Sequence, residues 1–415
     1  MIPGVARVLL LLPSGTYKAP DFLAAAARLD VDVVVASDTA QTLAEAMGDR
    51  ALVVDLADPP GAAGAITALA ARRPLDAVVA VDDQGVLVAA LAAKDLGLAA
   101  NDPEAVARTR DKAAMRAALA PAVAGGRLCQ PEFRVVGPDD DVGAAAREVG
   151  WPVVVKPVSL SASRGVIRAD GPAAAEAAAG RVRAILDGDG HPTDEPLLVE
   201  AYVPGEEVAV EALLRSGRLE VLAIFDKPDP LTGPYFEETL YVTPSRLPAA
   251  VQHRIAAATA EAAAAVGLTE GPVHAELRID TGGRPWVLEL AARTIGGLCA
   301  RTLRFAAGVT LEELVLRHAL GLPVDPRRET VAAGVMMLPI PRAGRLVAVH
   351  GREDARAVPG VTALEISILP GRPVRPLPEG DRYLGFLFAR ASSPAEVEDA
   401  LRTAHAHLHV VINGV

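Results

Sequence analysis

Residues Gly271–Gly297, GPVHAELRIDTGGRPWVLELAARTIGG, set the reading of the whole chain. Val273, Ala275, Leu277 and Ile279 alternate with His274, Glu276, Arg278 and Asp280, the period of a strand buried on one face. Trp286, Leu288 and Leu290 give the apolar face of a second strand. Between them Gly282-Gly283 reads as a two-residue hairpin loop, because both central positions of such a turn can take φ > 0. That loop pairs residues whose numbers sum to 565, so Glu276 stands opposite Glu289. Like charges facing each other across a sheet repel. A cation between them removes the conflict, and two carboxylates suit Mg²⁺ that also holds substrate phosphates. Arg293 and His274 fall on the same face by the same two-residue count.

The rest of the composition narrows the class. A chain of 415 residues with 51% hydrophobic and 22% charged residues is long enough for two or three domains with real cores. A net charge of −11 lacks the basic footprint of nucleic-acid proteins, so no nucleic-acid partner is expected. Cys129 and Cys299, the two cysteines, make no disulfide framework, and a reducing cytoplasm is the expected location. The opening MIPGVARVLLLLPSG has an apolar run, Val8–Leu12, shorter than a secretory core, and reads as a first buried strand. No run approaches the roughly 20 apolar residues of a membrane span, so no membrane partner is expected.

Residues 1–108 alternate short Val/Leu runs (Val5–Leu12, Val31–Ala36, Ala51–Leu56, Ala77–Val81) with alanine-rich helical segments (Asp21–Leu29, Gln41–Met47, Val86–Leu96). This βαβ rhythm predicts an N-terminal α/β domain with a doubly wound parallel sheet. Asp102-Pro103 opens a helix, and Thr109 or Asp111 caps the next. A central domain follows over 109–325, with a subdomain at about 130–203. Within it, Asp226–Pro248 reads as one long polar loop, a length usually reserved for function. Residues 326–415 read as a small antiparallel α+β domain.

Other candidate residues fall in order around the hairpin. Lys112 begins a helix, and Lys156 ends the strand VVVKP just before the loop SLSASRG. A lysine beside a loop of small residues can hold phosphates while backbone amides cover them, although each lysine taken alone also fits an exposed surface. In LLVEAYVPGEEVAVE the strand-to-turn crossing can offer backbone groups to an adenine edge, and Glu207 can accept bonds from ribose hydroxyls; an exposed acidic hairpin reads equally well. Glu237 and Glu238 suit either a substrate amino group or solvent. His274 could orient a substrate, assist proton removal from an amine, or support Glu276. Gly296-Gly297 either makes room for substrate near Arg293 or forms a turn. His405, His407 and His409 alternate like a metal-binding strand but have no carboxylate or cysteine among them, and are set aside.

The succession Lys112, Lys156 with its small-residue loop, EAYVPGEE, Lys227, Glu276, and Glu289 in ELAARTIGG resembles the ATP-grasp superfamily of carboxylate–amine ligases over about residues 75–325. The strand-rich tail, with PYFEETLYVTPS and VHAE, is similar to the L-amino-acid ligases that make dipeptides. The resemblance implies an ATP-grasp central domain with a mobile lid. It implies that Lys112 and Lys156 contact ATP phosphates and that Ser159, Ser161, Ser163 and Gly165 form the lid loop. Glu200, Ala201 and Val203 would meet adenine, Glu207 ribose, and Lys227 the γ-phosphate region. Glu276 and Glu289 would bind Mg²⁺, as two ions, with Mn²⁺ as a substitute. Arg293 would stabilise phosphate and a developing oxyanion.

The implied activity joins an amino-acid carboxylate to an amine through an acyl phosphate, releasing ADP and phosphate, in a chain that the same resemblance suggests is a homodimer. Two alternatives stand beside it: a biotin-carboxylase-like or purine-pathway enzyme, and a nucleotide-binding regulatory protein without catalysis. The chain departs from the Glu-x-Asn pattern of many relatives, since Ala291 follows Glu289-Leu290 and cannot ligate metal through its side chain.

Overall fold

The computed structural model describes residues 5–41, 44–192 and 194–414. The first strands are β1 (Arg7–Leu11), β2 (Asp32–Ser37), β3 (Ala51–Val53) and β4 (Ala77–Ala80). They form a parallel sheet in the order β3-β2-β1-β4. Alternate residues of β1 feed two separate cores, as a sheet covered on both faces requires. Leu9 and Leu11 pack with Ile66 and Val88 from helices Pro59–Ala70 and Val86–Leu96. Val8 and Leu10 pack with Phe22 from Ala19–Arg28 and with Val315 and Leu316 from Leu311–Ala319, a helix late in the chain. The sequence reading contains no helix at Pro59–Ala70. Of the helix expected over Gln41–Met47 the structure gives Ala44–Met47, and Thr42 and Leu43 lie outside the described residues.

Pro103–Arg110 and Lys112–Ala124 are consecutive helices capped by Asp102 and Asp111 respectively. Beyond them β5 (Phe133–Val136), β6 (Val153–Pro157), β7 (Ile167–Ala169) and β8 (Leu197–Ala201) make a four-stranded antiparallel sheet, order β5-β8-β6-β7. Helices Val142–Val149 and Pro172–Gly188 cover it and close a core of its own around Val153, Val155 and Val182. The loop Ser159–Gly165 joins β6 to β7 at the rim of this subdomain.

The largest sheet is antiparallel and eight-stranded. It begins with β9 (Glu206–Arg215), β10 (Arg218–Lys227), β11 (Leu240–Thr243), β12 (Gly271–Ile279) and β13 (Pro285–Ala291). It continues through β14 (Ala332–Leu338), and the later β16 and β18 complete the order β13-β12-β9-β10-β11-β14-β18-β16. The remaining strands are β15 (Gly344–His350), β16 (Val361–Ile366), β17 (Pro373–Val374), β18 (Gly385–Ala391) and β19 (His409–Asn413). A small sheet, β17-β15-β19, completes the C-terminal part. Its helix Pro394–Ala406 starts at a capping box made by Ser393 and Glu396.

Two sequence expectations are corrected here. Asp226–Pro248 is not one loop: Leu240–Thr243 is a buried strand that pairs with β14 and joins the central and C-terminal parts into one sheet. The hairpin loop is also different. Thr281-Gly282-Gly283 is a three-residue loop, with Gly283 N–H bonded to Asp280 O and only Gly283 at positive φ (+72°). Pairs next to the loop therefore sum to 564 (Ile279 with Pro285, Arg278 with Trp286). A bulge between Glu276 and Leu277 on one side and Val287 and Glu289 on the other then restores 565, so Glu276 does face Glu289. No helix among the described residues is long and apolar enough to cross a membrane.

Candidate active site

Strand alternation builds the floor of the site. On β12 His274, Glu276 and Arg278 share one face; on β9 the matching residues are Glu211, Ala209 and Glu207. Their neighbours Val273, Ala275, Leu277, Val208 and Val210 turn the other way, into the core under helix Ala249–Val266. Register then fixes the contacts. His274 lies opposite Glu211, and its Nδ1 is 2.8 Å from Glu211 Oε1. Arg278 lies opposite Glu207 and donates to its Oε2 at 2.8 Å. Lys227 on β10 pairs with Glu207 from the other side, and its Nζ donates to Oε1 at 2.8 Å. Ala209, small and central, leaves the space above the sheet open for these side chains.

Lys227 is 7% exposed and also contacts Glu238 and, at 3.5 Å, Glu276. Burial would strip its proton, but the three carboxylates outweigh burial and hold the ammonium well above its ordinary range. Glu238 is pushed up to about 7 by burial and by the charge of Glu276. Glu276 goes the other way: Lys227 and the hydrogen bond to His274 overcome burial and keep it ionised. His274 Nε2 stands 3.6 Å from Glu276, and the hydrogen bonds to Glu211 and Glu276 raise the imidazole's pKa against burial.

The walls come from the other parts of the chain and enclose a cavity of about 730 Å³. Arg116 anchors one wall. Its guanidinium is fully buried, gripping Glu200 of β8 through Nε (2.6 Å) and Nη2 (3.3 Å), and donating to the Val287 and Leu288 carbonyls of β13. Glu200 also receives Lys156 Nζ at 2.6 Å. Burial opposes a charge on Glu200, but these two cations draw its carboxyl down to about 2. Burial pulls Lys156 below its ordinary value. Lys112 Nζ donates to Leu160 O of the loop Ser159–Gly165 at 2.5 Å and lies 3.6 Å from Glu289.

Most residues chosen from sequence meet in this cavity. Lys112, Lys156, Ser159, Ser161, Ser163, Glu200, Ala201, Val203, Glu207, Glu238, His274, Glu276, Glu289, Arg293, Gly296 and Gly297 all line it. Gly297 takes φ +57°, and a Cβ there would come within 2.7 Å of Phe386, so close packing as well as conformation demands glycine. Lys227 does not line it; its Nζ is tied to Glu207, Glu238 and Glu276, which do. Gly165 sits at the end of the loop with its N–H bonded to Pro378 O. Glu237 faces a smaller hollow beside Arg375 and Tyr383 and does not line the main cavity.

The sequence reading passed over several contributors. Arg278 and Glu211 follow the same two-residue alternation as the residues it did choose. Asp82 and Asp83 follow β4, and Thr16 and Tyr17 follow β1 just past Ser14-Gly15, which the sequence offers as a weak ligand-approach signal, at the carboxyl ends of parallel strands where open α/β sheets bind ligands. Asp83 Oδ2 takes Arg293 Nε at 2.9 Å, while Arg110 lies 3.4 Å away. Burial opposes the charge on Asp83, but the two arginines bring it down to about 2. Asp381, Arg382 and Tyr383, from the segment between β17 and β18, reach the cavity from the C-terminal part.

The donor set suits a hard divalent cation. Glu276 and Glu289 present carboxylates from directly opposed positions on neighbouring strands, next to Lys112 and Arg293. Oxygen ligands of this kind fit Mg²⁺ shared with phosphates. The tightest carboxylate group among the described residues is a different one, Glu207, Glu238 and Glu276, with oxygens within 4.8 Å of one another; it already encloses Lys227. Ala291, opposite His274, is buried and adds no ligand.

Comparison with known proteins agrees with this architecture. Residues 149–302 match an ATP-grasp domain, 23–99 an ATP-grasp N-terminal domain, and 336–413 the L-amino acid ligase C-terminal domain 2. The crystal structure of L-amino acid ligase from Bacillus licheniformis superposes with a TM-score of 0.80 over 99% of both chains at 24% identity, a likeness of fold. Alanine–anticapsin ligase of Bacillus subtilis (strain 168) is 28% identical over 193 residues, 43% of this chain and 40% of that protein. A D-alanine–D-alanine ligase of Halorhodospira halophila is 36% identical over 178 residues, 41% of this chain and 54% of that protein. The chain thus spans about half, or less, of the length of these two curated relatives. The central domain is an ATP-grasp domain, carried between an ATP-grasp N-terminal domain and an L-amino-acid-ligase type C-terminal domain.

Proposed function

We propose that this chain is an ATP-dependent carboxylate–amine ligase that joins the carboxylate of an amino acid to an amine, most simply a second amino acid. The observation that carries the reading is a single cavity in which two buried lysines, Lys112 and Lys156, a loop of small residues, two opposed glutamates and a carboxylate-oriented arginine converge. The ligase names of the relatives support the same class.

In this reading Lys112 and Lys156 hold the ATP phosphates, the loop Ser159–Gly165 covers them, and Ala201 and Val203 offer backbone groups to adenine. Glu200 and Glu207 frame the nucleotide pocket. Their carboxylates are already committed, Glu200 to Arg116 and Lys156, Glu207 to Lys227 and Arg278, so they act by holding these cations in place. Glu276 and Glu289 would hold Mg²⁺, which supplies charge neutralisation on the transferring phosphoryl group. Mn²⁺ meets the same oxygen donors.

A carboxylate oxygen of the acid substrate attacks the γ-phosphorus of ATP, the bridging P–O bond breaks, and ADP leaves. A neutral amine then attacks the acyl carbon of the resulting acyl phosphate, the C–O bond to phosphate breaks, phosphate leaves, and the amine nitrogen gives up a proton. Arg293, held by Asp83, stands beside Glu289 to stabilise the anionic oxygens in both steps. A mixed anhydride hydrolyses in water, so enclosure by the loop is part of the chemistry.

The test is a phosphate-release screen over pairs of L-amino acids, with mass spectrometry of the product. ADP and phosphate should appear together with an amide only when both acid and amine are present. Glu289→Ala should abolish this turnover. Bicarbonate-dependent ATP hydrolysis without amide formation, or full activity in the Glu289→Ala protein, would refute the proposal.

A further inference from the structure

Seven lysines and arginines line the cavity, and six of them are committed within the fold. Lys112, Lys156, Arg110, Arg164, Arg278 and Arg293 each pair with a carboxylate that is at least two-thirds buried. Arg382 is the exception. Its only ionic partner among the described residues is Asp381, its neighbour in sequence, at 3.4 Å, and the two side chains are 55% and 57% exposed. Such a pair is worth little, so the Arg382 guanidinium is available to a ligand.

The segment that carries Arg382 is nevertheless fixed in place. Pro378 O accepts the lid-loop Gly165 N–H at 3.1 Å, and Glu379 takes Arg181 of the lid helix through Nε at 2.7 Å and Nη2 at 3.0 Å. On the far side of Arg382, Tyr383 packs edge-on against Phe386 (5.9 Å between ring centroids), which also meets Tyr17 of the loop after β1 (5.3 Å). An uncommitted cation is thus held at the cavity wall where the lid, the N-terminal loop and the C-terminal part meet.

We propose that Arg382 receives the carboxylate of the amine substrate, which makes that substrate an α-amino acid and not a simple amine. This rests on the ligase reading above. An amino acid acting as nucleophile carries a carboxylate that ATP phosphates repel. A cation outside the phosphate-holding set gives that charge a separate partner, and a guanidinium matches its two oxygens. The C-terminal part of the chain then selects the second substrate, while the central domain activates the first.

The experiment compares L-alanine with L-alaninamide as the amine, each against a panel of L-amino acids as acids, in wild type, Arg382→Ala and Arg382→Lys. The expected result is that the KM for L-alanine relative to that for L-alaninamide rises roughly tenfold in Arg382→Ala and recovers in part in Arg382→Lys. A ratio unchanged within about twofold overturns the assignment, as does a wild-type protein that uses L-alaninamide but not L-alanine. A wild-type protein that forms amides with neither amine overturns the ligase reading on which the inference stands.

Discussion

Glu200→Gln changes one atom type and should cost the protein much of its stability. Glu200 is 3% exposed and bonded to two cations, Arg116 (0% exposed) and Lys156 (7% exposed). Glutamine keeps the shape and removes the charge, leaving both cations buried and uncompensated. The carboxyl is drawn from 4.5 to about 2, which corresponds to about 3 kcal/mol of favourable interaction. Breaking a buried ion pair by deleting one partner typically costs about 3–5 kcal/mol, so the two routes agree.

The sign with pH follows from a folded-state pKa below the unfolded one. The contribution is complete above pH 4.5 and fades as the pH falls through the folded value near 2. At pH 3 about half or less of it should remain. Both tryptophans are well placed to report the transition: Trp286 adjoins Val287, whose carbonyl accepts from Arg116, and Trp151 precedes β6, the strand of Lys156. Urea denaturation of wild type and Glu200→Gln, followed by tryptophan fluorescence, should show a deficit of about 3 kcal/mol at pH 7 that shrinks at pH 3. A deficit below about 1 kcal/mol at pH 7, or one that does not change with pH, would refute the account of this network.

Two further outcomes follow from contacts that the sequence alone did not suggest. Asp83→Asn should lower kcat by about 10- to 100-fold while the KM for ATP changes less than about threefold, because it misplaces Arg293 and leaves Lys112 and Lys156, the lysines proposed to hold ATP, in place. Asp83→Glu should recover part of the loss, and equal changes in kcat and KM would count against a positioning role. Arg181→Ala should loosen the latch between the lid helix and Glu379, a half-exposed bidentate pair worth about 1 kcal/mol. Trypsin cleavage after Arg164 in the lid loop should then accelerate about fivefold. Reversing the pair in Arg181→Glu/Glu379→Arg should restore protection; cleavage at the wild-type rate in Arg181→Ala would rule the latch out.

Local periodicity made the hairpin legible: the alternation in β12 is strong because one face is core and the other is ionic, and it singled out His274, Glu276, Glu289 and Arg293. Lys112, Lys156, the loop serines, Glu200 and Lys227 came instead from an ordered succession that resembles ATP-grasp ligases. What escaped depends on contacts distant in sequence. Leu240–Thr243 is a four-residue strand in a proline-rich stretch, and its partner, β14, lies roughly 90 residues on, so no local pattern could distinguish it from loop. Asp83 meets Arg293 across 210 positions, and Arg382 reaches the cavity from the far end of the chain. The hairpin shows a third case. A wrong loop length shifted the register by one, and an unforeseen bulge near Leu288 shifted it back, so the pairing of Glu276 with Glu289 was obtained through two compensating errors. Bulges are common beside functional sites because they re-aim a side chain, and here one returns Glu289 to the cavity face.

Charge accounting on the floor bears on the short residue at position 291. The site looks rich in carboxylates, with Glu207, Glu211, Glu238, Glu276 and Glu289 near one another, as if neighbours could replace the ligand that Ala291 lacks. The contacts argue otherwise. Glu207 is shared by Lys227 and Arg278, Glu211 is bonded to His274, and Glu238 is held by Lys227. Moving any of them to a metal would strand a buried cation, which costs more than one coordination bond to a half-hydrated ion would return. That leaves Glu276, no closer than 3.5 Å to Lys227 and 3.6 Å to His274, and Glu289, 3.6 Å from Lys112, as the carboxylates held most loosely. Mg²⁺ demands six oxygens and gives up water reluctantly. In the proposed reaction the other positions must therefore be filled by phosphate oxygens and water, which ties metal affinity to the nucleotide and makes the pair of glutamates selective for a metal that arrives with phosphate.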